Sequence, residues 1–393
     1  MIATIESLKQ QAIEKTGLSD FGPPTYVEPL QAWLADLASP VPNERGVQFY
    51  TRLAVNDLCR RLDIIDWLNR HPEIADVPVP PILYITGHER SGTTLLHNLL
   101  SLDARARSLK RWELMRPTPP PDTASYSTDL RIAEVQAPLE RLRGTLLEHM
   151  HWVDADDPEE CTWGLWNGTG MLGQSPSTVL PNWREWLSTA DLTDTFSEYR
   201  QLIQLLLWRN PVGEEGYLVL KSPQHAISVD VLARIFPEAH FVFTHRDPFR
   251  AFTSLCVLAG HTNESFINDA RFLQADGRGV EPLIRRSEIK LTRLVGSDKA
   301  LGHRITNVAY PELVDTPRQV VQTVYKQAGY RAPDNLNEAI SAFLARQKAG
   351  HRARPPGELS TLGLDHLAFL RRKPIARYCA HFGVAVEQTR ATG

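Results

Sequence analysis

Two stretches of this chain each join a β-prone run to side chains that bind anions. In the first, Pro81-Ile82-Leu83-Tyr84-Ile85-Thr86 is apolar and leads through Gly87-His88-Glu89-Arg90-Ser91-Gly92 into Thr93-Thr94-Leu95-Leu96. Glycine, four residues and glycine is the spacing of a phosphate-binding loop, and Thr94 stands where such a loop ends in serine or threonine. Its lysine is absent: Thr93 occupies that place, and the cation Arg90 sits inside the loop. Backbone N–H groups and the positive end of a helix dipole still hold an anion there. The charge that grips a triphosphate is missing, which points to a different anion.

In the second stretch, Ala239-His240-Phe241-Val242-Phe243-Thr244 precedes His245-Arg246-Asp247-Pro248 and a helical run. Arg246 therefore stands at a strand end, where open α/β sheets bind ligands. Ser254 falls about two helical turns further on and turns a hydroxyl toward the same crevice. An arginine fork and a hydroxyl suit a phosphate monoester.

In order and spacing these motifs resemble those of the sulfotransferases that use 3′-phosphoadenosine-5′-phosphosulfate, PAPS. Gly87 to Thr94 resembles the family's 5′-phosphosulfate loop, and Arg246 with Ser254 its 3′-phosphate pair. Leu218-Val219-Leu220-Lys221-Ser222-Pro223-Gln224-His225 is similar to the lysine-bearing strand end of bacterial and tyrosyl-protein members. Ile305 to Val314 resembles the strand and tyrosine, here Tyr310, that border the adenine. The resemblance implies a donor held by Arg90, Ser91, Gly92, Thr93, Thr94, Arg246, Ser254 and Tyr310, with adenosine 3′,5′-bisphosphate as product. Two departures limit it. Leu95 stands where cytosolic animal members place a tryptophan, and their C-terminal basic-glycine motif is lacking, leaving Arg352 or Arg354 as a weak match that completes the 3′-phosphate site.

Sulfuryl transfer needs in-line positioning, charge stabilisation and a base for the acceptor hydroxyl. Arg90 and Lys221 are the cationic candidates, and no metal is needed if they supply the charge. Glu113 resembles the glutamate base of tyrosyl-protein sulfotransferases, but it is equally suited to pair with Lys110 or Arg111. His225, four residues past Lys221, competes for the role, and His88 is a third candidate. His149, His151 and Cys161 fit no common zinc spacing. Two other functions stay open: a P-loop nucleotide-dependent kinase, with Asp247 argued into a magnesium-holding role, and a noncatalytic nucleotide-binding protein.

Strands expected near 82–86, 216–221, 240–245 and 303–309, with helices after 92, 192, 224, 248 and 316, must position these groups. That alternation predicts an α/β fold, a P-loop-like parallel sheet flanked by helices, with N-terminal and C-terminal helical additions. Residues 1–78 read as a helical extension, 79–330 as the α/β core and 331–393 as a C-terminal helical segment packed on it. The extension either covers the acceptor pocket, makes a homodimer contact or packs on the sheet. Surface loops are expected at 117–121 and 168–181, and Trp152, Trp163, Trp166, Trp183 and Trp186 suit an apolar acceptor pocket.

At 393 residues, 42% hydrophobic and 23% charged, the chain can bury a large core. A formal charge of −3 excludes a general nucleic-acid binder, which requires a basic surface. Four scattered cysteines, Cys59, Cys161, Cys256 and Cys379, suggest reduced thiols. With no basic-then-apolar leader and no run of 18 apolar residues, a cytoplasmic protein without a membrane span is expected, acting on a hydroxyl of a small molecule, lipid, glycolipid or sugar.

Overall fold

The computed structural model describes residues 3–141, 143, 145, 154–166, 180–269, 279–350 and 363–387. Its centre is a five-stranded, all-parallel sheet of β1 (Ile82–Gly87), β2 (Ala106–Ser108), β3 (Tyr217–Lys221), β4 (Ala239–His245) and β5 (Ile305–Ala309), in the order β2-β3-β1-β4-β5. A parallel sheet buries both faces, so its strands are apolar throughout rather than alternating with polar residues. Leu83, Ile85, Tyr217, Val219 and Val242 face helices Thr93–Leu100 and Pro317–Ala328. Ile82, Tyr84, Leu218, Leu220, Phe241 and Phe243 face the opposite core.

That second core is shared with the N-terminal helices Ile5–Thr16, Val27–Leu37 and Glu44–Arg70, whose Leu8, Trp33 and Leu62 are fully buried. The first of these helices opens on a capping box between Thr4 and Ser7 and closes on Gly17 in the left-handed region, so its ends are satisfied locally. On the C-terminal side, helix Lys373–Phe382 packs Ile375 and Tyr378 against the same core.

β1 lies between β3 and β4, and the chain reaches the two neighbours by separate crossovers, which opens a crevice at the carboxyl ends of these strands. The expected strands occur within two residues of their anticipated limits. β2 was not anticipated, because three residues reading Ala-Arg-Ser carry no pattern.

β2 is continued by a short rim. Glu159 N donates to Leu109 O at 3.0 Å and Arg111 N to Asp157 O at 3.1 Å, flanking an antiparallel bridge of Lys110 with Pro158. In that pattern the backbone of Pro158 faces away from its partner, the one edge position where a missing N–H leaves nothing unpaired. The acidic run at 157–160 is extended and ends in a single 3₁₀ turn, Cys161–Gly164. No helix among the described residues is long and apolar enough to cross a membrane.

Candidate donor and transfer site

Gly92 caps helix Thr93–Leu100 at φ 97°, with no side-chain cap hydrogen bond to its first turn among the described residues. A Cβ at Gly92 would come within 2.9 Å of the Tyr310 ring and 3.1 Å of Leu313, and one at Gly87 within 2.6 Å of the Thr244 carbonyl. Both glycines are therefore required by close approach, and Gly92 also by conformation. Arg90 holds φ 67°, an uncommon and strained value for a side-chain-bearing residue.

The strained turn serves the second motif. The Arg90 carbonyl accepts from Arg246 Nη1 at 3.1 Å, and Arg90 Nε donates to Ser254 Oγ at 3.1 Å. Arg246 lies 4.2 Å over the Tyr310 ring, which itself packs against Gly92. Thus Arg90, Gly92, Arg246, Ser254 and Tyr310, drawn from β1, β4, β5 and the helix Pro248–Asn263, converge in one crevice. Tyr310 gives a ring face to the Arg246 guanidinium. Ser91 turns inward: its Oγ donates to His88 O at 2.6 Å and lies 2.6 Å from Thr244 Oγ1, so the hydroxyl ties the loop to β4. Thr93 is buried and Thr94 exposed.

Arg246 also carries a carboxylate. Glu387 approaches its Nε at 2.8 Å and its Nη2 at 3.2 Å, and Glu387 N donates to Asp247 Oδ2 at 2.8 Å. Asp247 Oδ1 meanwhile accepts from Phe249 N at 2.8 Å and Arg250 N at 3.4 Å, capping the helix. The acid argued toward magnesium thus has both oxygens engaged by backbone.

Lys221, almost wholly buried at the end of β3, points Nζ to Glu160 Oε1 at 2.8 Å and to Thr94 Oγ1 at 3.5 Å. It links the first turn of the cradle helix to a carboxylate that is 20% exposed. The expected bases sit differently. Glu113 has no exposure and accepts from Arg107 Nη2 at 2.5 Å, Lys110 N at 2.9 Å and the Tyr126 hydroxyl at 2.9 Å. A carboxylate so committed matches the salt-bridge alternative, with Arg107 rather than Lys110 or Arg111 as its partner. His225 shares a 2.6 Å bond with the Tyr84 hydroxyl beside Phe196, and burial, then nearby Lys290, pushes its imidazole down to about 3. It is a poor proton acceptor there. His88 is held between the Glu89 carbonyl at 2.8 Å and Ser287 Oγ at 2.9 Å, and burial lowers it too.

Glu89, inside the cradle and buried, anchors the loop from behind through Lys290 Nζ, with Arg286 Nη2 3.6 Å away. Burial favours its neutral form, but Lys290 and Arg286 prevail and hold the carboxyl well below its usual range. Lys290 is in turn lowered to about 7, by burial first and then by Arg286. Arg352, the loop at 168–179, Trp152, His149 and His151 lie outside the described residues. Sequence reasoning missed Glu160, Lys290 and Glu387 as partners of the site. Lys221 and Glu160 are 61 positions apart and Arg246 and Glu387 141, distances over which no local pattern reports contact.

A glycine-bounded loop at the end of β1 is thus joined, across neighbouring strand ends of a parallel α/β sheet, to a second arginine. The chain belongs to the sulfotransferase family, whose profile matches residues 81–334. It is similar to sulfotransferase STF9 of Mycobacterium avium, with 26% identity, TM-score 0.87 and 99% of each chain covered. It shares its fold with sulfotransferase STF1 of Mycobacterium tuberculosis H37Rv at 23% identity and TM-score 0.79, over 97% of this chain and 98% of that one. It also resembles the omega-hydroxy-beta-dihydromenaquinone-9 sulfotransferase Stf3 of Mycobacterium bovis and M. tuberculosis, 23% identical over 259 residues. That match spans 65% of this chain and 63% of the relative's length.

Proposed function

We propose that the protein transfers a sulfuryl group from PAPS to a hydroxyl of a small-molecule or lipid acceptor. One observation carries this reading: the Arg90 turn hydrogen-bonds to both Arg246 and Ser254, so the two anion-binding motifs share one crevice. A donor with a phosphosulfate at one end and a phosphate monoester at the other needs such a pair of pockets. The residues fit it, since Gly92 leaves its helix N–H groups uncapped and Arg246 already receives a carboxylate. The named acceptor of Stf3, a hydroxylated menaquinone derivative, supports a lipid-like alcohol as one candidate.

When bound, PAPS supplies an activated sulfuryl group. Arg90 and the uncapped amides hold its phosphosulfate end, and Arg246 with Ser254 holds the 3′-phosphate. Lys221 stabilises negative charge beside the cradle helix, at low cost in reorganisation because it is buried and fixed at both ends of its contact. We assign the base to Glu160 rather than Glu113 or His225. It is the carboxylate beside Lys221 that keeps partial exposure, so an acceptor hydroxyl can reach it and give up its proton there.

The test combines binding with turnover. Glu160→Gln should retain affinity for adenosine 3′,5′-bisphosphate in calorimetry and lose about a hundredfold or more in kcat. Full activity in that variant ends the assignment of the base. Stabilisation of the wild type by ATP and magnesium, without any by adenosine 3′,5′-bisphosphate, ends the donor assignment in favour of a kinase.

A further inference from the structure

Behind the cradle, on the face of the sheet opposite helix Thr93–Leu100, lies a group of buried cations, of which Lys290 braces the loop through Glu89. Arg184, on helix Pro181–Thr189, is 5% exposed; Arg286 and Lys290, on helix Val280–Leu301, are 4% and 0% exposed. All three side-chain nitrogens of Arg286, and Nε and Nη2 of Arg184, are buried without a hydrogen-bond partner among the described residues.

The acids nearby answer them only through charge at a distance. Glu89 is taken by Lys290 and comes no closer than 3.6 Å to Arg286. Asp36 accepts from Asn182 N at 3.0 Å, Asn182 Nδ2 at 2.8 Å and Trp183 N at 2.9 Å, but from neither arginine. Ser287 is bonded to His88. Two guanidinium groups withdrawn from water without a bonded counter-ion cost several kcal/mol each, and buried polar atoms left unpaired call for an explanation in a ligand or water. Planar, forked donors match an oxyanion.

Position says whose oxyanion it is. Lys290 Nζ donates to Gln224 Oε1 at 3.1 Å, three residues beyond Lys221, and Glu89 directly precedes Arg90. The cluster therefore adjoins both transfer cations, while the two anionic ends of the donor are assigned to the other flank of the loop. We infer that Arg184, Arg286 and Lys290 form a subsite for a carboxylate, sulfate or phosphate group carried by the acceptor, so that the hydroxyl to be modified belongs to an anionic molecule. This inference rests on the donor reading above.

The experiment uses the full chain saturated with adenosine 3′,5′-bisphosphate, so that the cradle and the Arg246 pocket are filled. Titrating inorganic sulfate should then raise the melting temperature further in the wild type. In Arg286→Gln the apparent sulfate affinity should fall at least about tenfold, well beyond any change in the nucleotide's own affinity. Arg184→Gln, whose cation lies on another helix, should weaken sulfate in the same direction. 4-Hydroxyphenylacetate, which carries a hydroxyl and a carboxylate, should compete with sulfate, whereas 4-methylphenol should not.

Absence of a sulfate response in the wild type, or an equal response in both variants, overturns the subsite. Sulfate binding that ignores 4-hydroxyphenylacetate overturns its assignment to the acceptor. Failure of both variants to fold overturns it as well, since the arginines would then be structural. A wild type that ignores adenosine 3′,5′-bisphosphate removes the donor reading instead, a separate and recognisable result.

Discussion

Glu113 and Glu387 show how one carboxylate's surroundings decide its work. Glu113 is buried and bonded to a guanidinium, a backbone amide and a phenol. Glu113→Gln leaves Arg107 facing a neutral amide, and breaking a buried pair from one side costs about 3–5 kcal/mol. Thermal melts should show that loss, with kcat per folded molecule changed far less than in Glu160→Gln. Glu387 instead sits on the fork of Arg246, where the donor's phosphate monoester is assigned. A phosphate must displace it, so Glu387→Gln should tighten adenosine 3′,5′-bisphosphate about fivefold by calorimetry, about 1 kcal/mol. Weaker binding in that variant would show that the tail helps the ligand instead. Arg90, Lys221 and Arg246 stood out by type because each lies at or just past a strand end, and Ser254 by its spacing inside the helix that follows β4. Glu160 was hidden among four acids within six positions, Asp154, Asp156, Asp157 and Glu159, and only the fold selects which one meets Lys221.

At the level of elements, the strand–turn–helix of the cradle was readable because apolar run, glycine spacing and hydroxyls agree on one conformation. Its rear support was not, since Glu89 meets Lys290 from 201 positions away. Gly92→Ala should abolish the nucleotide's thermal stabilisation, because a methyl group there both strains the left-handed turn and meets Tyr310 at 2.9 Å. Retained stabilisation would show that the turn yields easily.

The support carries a pH signature. Lys290 faces Glu89 from the loop, Gln224 from the end of β3, and Arg286 on its own helix; Glu160, His88 and His225 also feel its charge. Burial lowers it to about 7, while an unfolded lysine keeps its proton to about 10.4. Between these values the unfolded chain binds more protons, so stability rises with pH, by at most about 1.4 kcal/mol per unit for one group. Melting temperatures from pH 7 to 9 should climb by this contribution, and Lys290→Met should flatten the climb.

For the whole molecule, composition and strand–helix alternation were enough to indicate the α/β class, and the order of the motifs the family. The role of the first 78 residues was not legible, because an amphipathic stripe shows that a helix has a partner without naming it. The structure packs Leu8, Trp33 and Leu62 into the same core as Tyr84 and Phe241. Trp33→Ala should therefore cost about 3–5 kcal/mol and lower a single melting transition. Two separate transitions, with only one moving, would mean that the extension folds as its own unit.

The rim beside β2 bears on how copies of the molecule behave toward each other. At Pro158 the outermost backbone of that flank has no proton to offer, so an arriving strand finds a broken ladder where it would need its next rung. At that one rung, strand pairing between crowded copies is blocked.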